Sequence, residues 1–192
     1  MSELLKKNYL RKVAISDEEF EQILAEFRPR KLKKKEKILQ IGEVCTFSVF
    51  VVKGCLRSYS IDEKGNERVS QFAFEDNWIG NLYSTVTGEP SNLCVEAIEE
   101  SEVLILHKDN EEKLFDKIPK LLKFSRLQFQ NAYIATQRRL ECSLVITAED
   151  RYRELLEKQP NIVQRVPLIH IASYLGIAPE SLSRIRKMLA EE

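Results

Sequence analysis

The sequence predicts an α+β chain, a β-sandwich or barrel of jelly-roll character followed by a helical half. Three observations carry this. From Arg30 to about His107, short segments rich in Val, Ile, Phe and Tyr alternate with turn signals. After Asp109 the apolar spacing becomes helical and stays so. Near the carboxy terminus, LIHIASYLGIAPESLSRIRKML (168–189) has the spacing of two short helices around a sharp turn.

The elements follow in order. The opening MSELLKKNYLRKV lacks an apolar core of the signal-peptide kind, and its small apolar stripe predicts an amphipathic helix. SDEEFEQILAEF (16–27) predicts a second helix: Ser16 and Glu19 form a capping box, and Phe20, Ile23, Leu24 and Phe27 recur at helical spacing. The cations of KLKKKEKILQIGE read as a solvated strand face. Phe47–Val52 and Leu56–Ile61 are strands broken at Lys53-Gly54, and Asp62 to Asn66 turn the chain into Val69–Phe74. Cys94–Ile98 and Val103–Leu106 complete the strands, giving many short strands with tight turns. Asn110–Phe115 is a short helix before Pro119. The stretch from Lys120 to about Ile146 contains no Gly or Pro and predicts a helix of roughly 40 Å.

That long helix carries two apolar stripes. One holds Phe124, Leu127 and Ile134 with Asn131 in register; the other holds Leu122, Phe129, Tyr133, Leu140 and Leu144. Two stripes predict two clients, the chain's own domain and a second subunit. We assign Phe124, Leu127, Asn131 and Ile134 to the subunit interface. Thr147 and Asp150 cap the next helix, which stops before Pro160. The expected division is therefore 1–119 for the sandwich with its leading helices, 120–146 for the long helix, and 147–192 for the terminal helices.

The terminal pattern is a helix-turn-helix. Ile171, Ala172 and Leu175 form an apolar face, Gly176 supplies a turn that needs positive φ, and Pro179 suits a first helical position. Leu182, Ile185, Met188 and Leu189 are expected to face back. Glu180, Ser181, Ser183, Arg184, Arg186 and Lys187 are the expected outer face, where basic side chains reach base edges and phosphates.

Composition sets limits on function. The chain has 192 residues, 43% hydrophobic and 31% charged, with zero formal net charge, so no global field attracts nucleic acid or membrane. No apolar run approaches a membrane span. Four scattered cysteines and two histidines predict reduced thiols in a cytoplasm, no metal site and no cofactor. No nucleophile–base pair suggests an enzyme.

Sandwich, long helix and helix-turn-helix in this order resemble the Crp/Fnr family of bacterial transcription regulators, in VVKGCLRSYSIDEKGNE, NWIGN and IASYLGIAPESLSRIRKML. The resemblance implies a cyclic-nucleotide-binding-like β-roll, dimerisation through the long helix, and a winged helix-turn-helix on palindromic double-stranded DNA. RNA polymerase is then an expected partner. By the same resemblance Glu180, Ser181 and Arg184 read bases, with Arg184 the guanine contact, and a short wing falls within Gln159–Pro167.

Residues 80–92 then align with the phosphate-binding cassette of cyclic-nucleotide domains. The ribose-binding Glu is replaced by Asn81 and the phosphate-binding Arg by Ser91. The surrounding run, 69–106, has seven acids and no Lys or Arg. Burying a phosphate there without a cation costs several kcal/mol, on the order of the penalty for an unpaired buried charge. Gly80, Asn81, Leu82, Ser91 and Asn92 are therefore read as a degenerate effector pocket, not built for cAMP. It is either a remnant or a site for a neutral or cationic ligand near Trp78 and Tyr83. The alternative class is a ligand-binding or adaptor protein whose helical tail makes protein contacts without DNA.

Overall fold

The computed structural model describes residues 2–190, except for the side chains of residues 143 and 144. The Leu144 position of the second stripe thus lies outside the described side chains. Two leading helices, α1 (Ser2–Leu10) and α2 (Asp17–Ala25), precede the strands, and α2 begins with the expected reciprocal Ser16–Glu19 capping box.

Eight strands follow: β1 (Phe27–Leu32), β2 (Lys37–Leu39), β3 (Phe47–Lys53), β4 (Leu56–Ile61), β5 (Glu67–Ala73), β6 (Trp78–Ile79), β7 (Cys94–Ala97) and β8 (Ser101–His107). A short helix, α3 (Leu82–Thr87), stands between β6 and β7. The strands form two antiparallel sheets, β1-β8-β3-β6 and β2-β7-β4-β5. The cations of β1 lie on an edge strand whose four central residues are exposed, a placement that keeps the edge from pairing further.

Period-two alternation explains the layering. In β3, Val49 and Val51 point between the sheets, while Phe50 points outward to the leading helices. In β8, Val103 and Ile105 face inward, and Leu104 and Leu106 join Phe50. Both strands are therefore buried on two faces and read as continuous apolar runs. The β3–β4 corner depends on Gly54: its φ is +99°, and a Cβ there would meet the Ser101 Cα at 2.8 Å. No other residue type fits that corner without moving β8.

The helical half consists of α4 (Lys108–Lys117), α5 (Leu121–Val145), α6 (Ala148–Lys158), α7 (Ile162–Arg165), α8 (Leu168–Leu175) and α9 (Pro179–Ala190). Thr147 caps α6 by accepting from the Asp150 N–H. Two corrections to the sequence reading arise here. Residues 159–167 hold α7 and no strand, so the short wing expected there is absent. The reason is packing, since Ile162 and Val166 are one helical turn apart and both are buried against α6 and α8. Phe124 is not on an outer seam: it is 5% exposed and stacked on Tyr9 at 4.1 Å between ring centroids.

Helices α6 to α9 do not stand apart from the strands. Their core is continuous with Cys55, Phe74 and Ile98 on the outer face of the β2-β7-β4-β5 sheet. Each sheet thus has an inner and an outer client.

Candidate functional site

The turn between α8 and α9 is built as its residues require. Gly176 adopts φ +70°, and a Schellman closure follows: its N–H donates to Ser173 O at 3.1 Å, and the Ile177 N–H to Ala172 O at 3.0 Å. Ile171, Ala172, Leu175 and Leu182 are buried at the helix crossing. At 3.6 residues per turn, Leu182, Ile185 and Leu189 lie on one stripe and Met188 well off it. Met188 is accordingly 52% exposed, which corrects its assignment to the inner face.

The same geometry sorts the six expected contact residues. Glu180, Ser183, Arg184 and Lys187 share the outward face and are exposed. Ser181 and Arg186 are half-buried, on the flanks. Arg184 and Lys187 have no ion-pair partner among the described residues. The outer face of α9 therefore presents two uncommitted cations, a hydroxyl and a carboxylate.

The cassette is closed on itself. Asn81 is the N-cap of α3: its Oδ1 accepts from the Ser84 N–H at 3.3 Å, and its Nδ2 donates to Ser91 Oγ at 2.7 Å. Ser91 Oγ in turn donates to Leu93 O at 2.8 Å, and Ser84 Oγ accepts from the Cys45 N–H at 2.9 Å. Asn81, Ser84 and Ser91 are 4%, 0% and 2% exposed. The two positions expected to have lost the ribose and phosphate ligands, Asn81 and Ser91, are thus hydrogen-bonded to each other. A Cβ at Gly80 would press on Phe47 O at 3.3 Å. Leu82 and Asn92 are exposed.

Trp78 and Tyr83 do not line it. The indole Nε1 donates to Asn8 Oδ1 at 3.1 Å, and the ring packs near Tyr9, Phe27, Phe50 and Phe124. Tyr83 is 58% exposed and donates to Glu89. A site for a neutral or cationic ligand between them has no geometric basis.

A third feature was not legible in the sequence: a polar seam that joins the strands to the helical half. Arg57, its side chain 4% exposed, donates to Glu96 at 2.9 Å, to Glu67 at 2.5 Å and to His170 Nδ1 at 2.9 Å. Burial opposes the charge on Arg57, but the hydrogen bonds to Glu67 and Glu96 outweigh it and hold the guanidinium charged. Burial, reinforced by the adjacent Arg57, pushes the His170 imidazole below its ordinary range, toward the neutral form. Arg165 donates to Glu75 at 2.8 and 2.9 Å and to Glu99 at 2.5 and 3.0 Å, over the Phe74 ring. Ser173 Oγ donates to Glu67 O at 2.6 Å and accepts from the Val69 N–H at 3.0 Å. Arg139 of α5 donates to the carbonyls of Val69, Ser70 and Tyr174.

On α5, Leu121, Phe124 and Ser125 are buried against the chain's own core, and Leu127 is half-buried. Asn131 and Ile134 are exposed, as are Leu122, Phe129, Tyr133 and Leu140. The outward apolar surface is therefore mainly the second stripe with Ile134 beside it.

No group of three His, Cys, Asp or Glu able to hold a metal occurs among the described residues. Cys45, Cys55 and Cys94 are buried, and burial pushes the Cys55 thiol up to about 12. No described helix is long and apolar enough to cross a membrane.

Comparison with known proteins agrees with this architecture. Residues 29–117 match the cyclic nucleotide-binding domain family. The chain is 22% identical over 179 residues to the fumarate and nitrate reduction regulatory protein of Vibrio cholerae, covering 88% of this chain and 70% of that one. The fold is shared with FixK2 from Bradyrhizobium japonicum (TM-score 0.76, 20% identity, 86% of this chain and 85% of that one). It is also shared with CLP, a c-di-GMP-responsive regulator from Xanthomonas campestris (TM-score 0.73, 15% identity, 92% of each chain). A crp/fnr-family regulator from Eubacterium rectale superimposes with a TM-score of 0.70 at 17% identity, over 92% of this chain and 85% of that one. Residues 29–117 thus match the cyclic nucleotide-binding domain, and the succession of roll, long helix and terminal helices is the fold of these regulators.

Proposed function

We propose that the protein is a homodimeric DNA-binding regulator that does not respond to cAMP or cGMP. The observation that carries the DNA-binding reading is the outer face of α9. Arg184 and Lys187 are exposed there with no described partner, on a helix whose opposite side is buried against α8. A helix so supported, with uncommitted cations outward, fits the major groove of a duplex. Phosphate contacts from Lys187 and the flanking Arg186 supply affinity that falls with salt. Arg184 supplies base readout.

Dimerisation is supported by the stripe of Leu122, Phe129, Tyr133 and Leu140, which are 46–65% exposed on one side of α5. Leucine and aromatic side chains at this spacing are the material of a helix–helix seam. The insensitivity to cyclic nucleotides rests on the closed Asn81–Ser91 pair and on a segment, 80–92, with no Lys or Arg of its own; the nearby Lys108 ammonium is taken up by the Thr85 carbonyl at 3.1 Å.

The deciding experiment is an electrophoretic mobility assay against genomic fragments, followed by Arg184→Ala on the fragment selected. Loss of one bidentate base contact costs roughly 1–3 kcal/mol per half-site and removes preference over a scrambled duplex. Lys187→Ala instead weakens binding evenly and lowers the salt slope. An adaptor that uses α9 for protein contacts would show neither retardation nor salt dependence.

A further inference from the structure

We propose that the cavity between the β-roll and the start of α8 is a binding site for a small anion bearing phosphate or clustered carboxylates. The proposal rests on the regulator reading only for its consequence, since occupancy would tie the roll to the DNA-binding helices. The cavity has a volume of about 290 Å³. Lys34 and Lys35 line it from the turn between β1 and β2, Arg57, Glu67 and Glu96 from the β4, β5 and β7 strands, and His170 from α8.

The chemistry follows from which of these groups are already committed. Guanidinium groups only donate, so the contact between Arg57 and His170 Nδ1 makes Nδ1 the acceptor. The imidazole proton is then on Nε2, which has no hydrogen-bond partner among the described residues. Glu67 and Glu96 are engaged by Arg57 at 2.5 and 2.9 Å. Lys34 and Lys35 have no ion pair among the described residues, and both are exposed. The backbone of Lys35 is pinned by its N–H to Ala97 O at 2.7 Å.

What the walls hold in reserve is therefore donors: two ammonium groups and one imidazole N–H. Their carboxylates are spent on Arg57. Three lysine and arginine cations against two carboxylates also leave an uncompensated positive charge in the walls. A neutral ligand would leave the ammonium groups unanswered, and a cation would meet them head-on. An oxyanion satisfies all three donors and bridges the roll to α8. With the cassette closed by Asn81 and Ser91, this junction is the place where a small molecule reaches both halves of the chain.

The test is calorimetric titration of the full chain, without DNA, using inorganic phosphate and citrate as probes. The expected result is saturable binding of at least one probe, one site per chain, at millimolar affinity or tighter. Lys34→Gln with Lys35→Gln should weaken it at least roughly tenfold, about 1.4 kcal/mol. Lys31→Gln with Lys33→Gln changes two lysines of the neighbouring 340 Å³ cavity and should leave it unchanged. Absence of saturable heat with both probes overturns the proposal. Equal weakening by the two double variants also overturns it, because that pattern marks diffuse attraction to a lysine-rich surface. Because no DNA is present, failure of the operator assay and failure of this site are separate results.

Discussion

Removing Arg165 should loosen the helical half from the β-roll, and the size of the effect can be worked from its contacts. The guanidinium makes four hydrogen bonds to two carboxylates, Glu75 and Glu99, and lies 5.0 Å from the Phe74 ring centroid. Charge-assisted bonds of this kind contribute about 1.5–3 kcal/mol when buried. Here the three side chains are 27–37% exposed, so solvent screening discounts the sum. Arg165→Ala should then cost about 2 kcal/mol, which for a chain of this size lowers the thermal midpoint by about 4–8 °C. The pH dependence has a defined sign. Burial raises the Glu75 carboxyl, but hydrogen bonds from Arg165 and from backbone N–H groups outweigh it and hold it below its ordinary 4.5. A carboxylate depressed in the folded state contributes stability above its unfolded pKa and loses it as pH falls through the folded one. The Arg165→Ala penalty should therefore be full at neutral pH and shrink at about pH 4 and below. Urea denaturation of wild type, Arg165→Ala, Glu75→Gln and the double variant measures both. Penalties that add without coupling, or a neutral-pH loss under about 0.5 kcal/mol, would refute the assignment of this contact as a clamp.

Three further outcomes are expected. Gly54→Ala should cost more than about 2 kcal/mol in denaturant, while Gly42→Ala, also at positive φ but with open space around it, should cost about 1 kcal/mol. Asn81→Glu with Ser91→Arg should fail to create cAMP affinity in calorimetry, because both positions lie in a packed, hydrogen-bonded cluster; a micromolar isotherm would show that the cassette can open. Phe124→Ala should destabilise the fold by about 3–5 kcal/mol. Ile134→Asp, at a site 61% exposed, should leave monomer stability within about 0.5 kcal/mol and shift sedimentation from twice the chain mass toward one.

The sequence reading succeeded where local chemistry decides the outcome. The Ser16–Glu19 box, the Thr147 cap, the Gly176 turn and the strand Leu56–Ile61 each rest on residues within a few positions of one another. It failed where a distant partner decides. Helix α3 is six residues long with two Thr and a Val, too short and too β-branched to announce itself, and it is held by the Asn81 cap and Ser84. Ile162 and Val166 in α7 would suit a strand as well as a helix until α6 and α8 supply the surface that buries them. Phe124 and Ile134 share a spacing pattern on α5, yet only Phe124 meets Tyr9 and Trp78 from outside the helix. Periodicity shows how many apolar faces a helix has and leaves open which neighbour covers each.

The cation-free run from Val69 to Leu106 shows the same division most sharply. Its acids looked like the lining of a pocket that had lost its phosphate ligand. Instead, most of them hold cations delivered from elsewhere in the chain. Asp76 takes Arg11 from beyond α1, Glu96 takes Arg57 from β4, Glu102 takes Lys31 from β1, and Glu75 with Glu99 takes Arg165 from α7. A run that supplied its own Lys or Arg would satisfy those carboxylates locally and leave nothing for the leading and trailing helices to grip. The absence of cations is thus tied to docking rather than to ligand chemistry. It leaves the arginines fixed at the seam and the lysines at 34 and 35 unspent beside it. Anion binding in this protein is then expected where cations have no ion pair among the described residues, at the outer face of α9 and at the roll–α8 junction. The cassette, with its acids and its closed Asn81–Ser91 pair, is where it is least favoured.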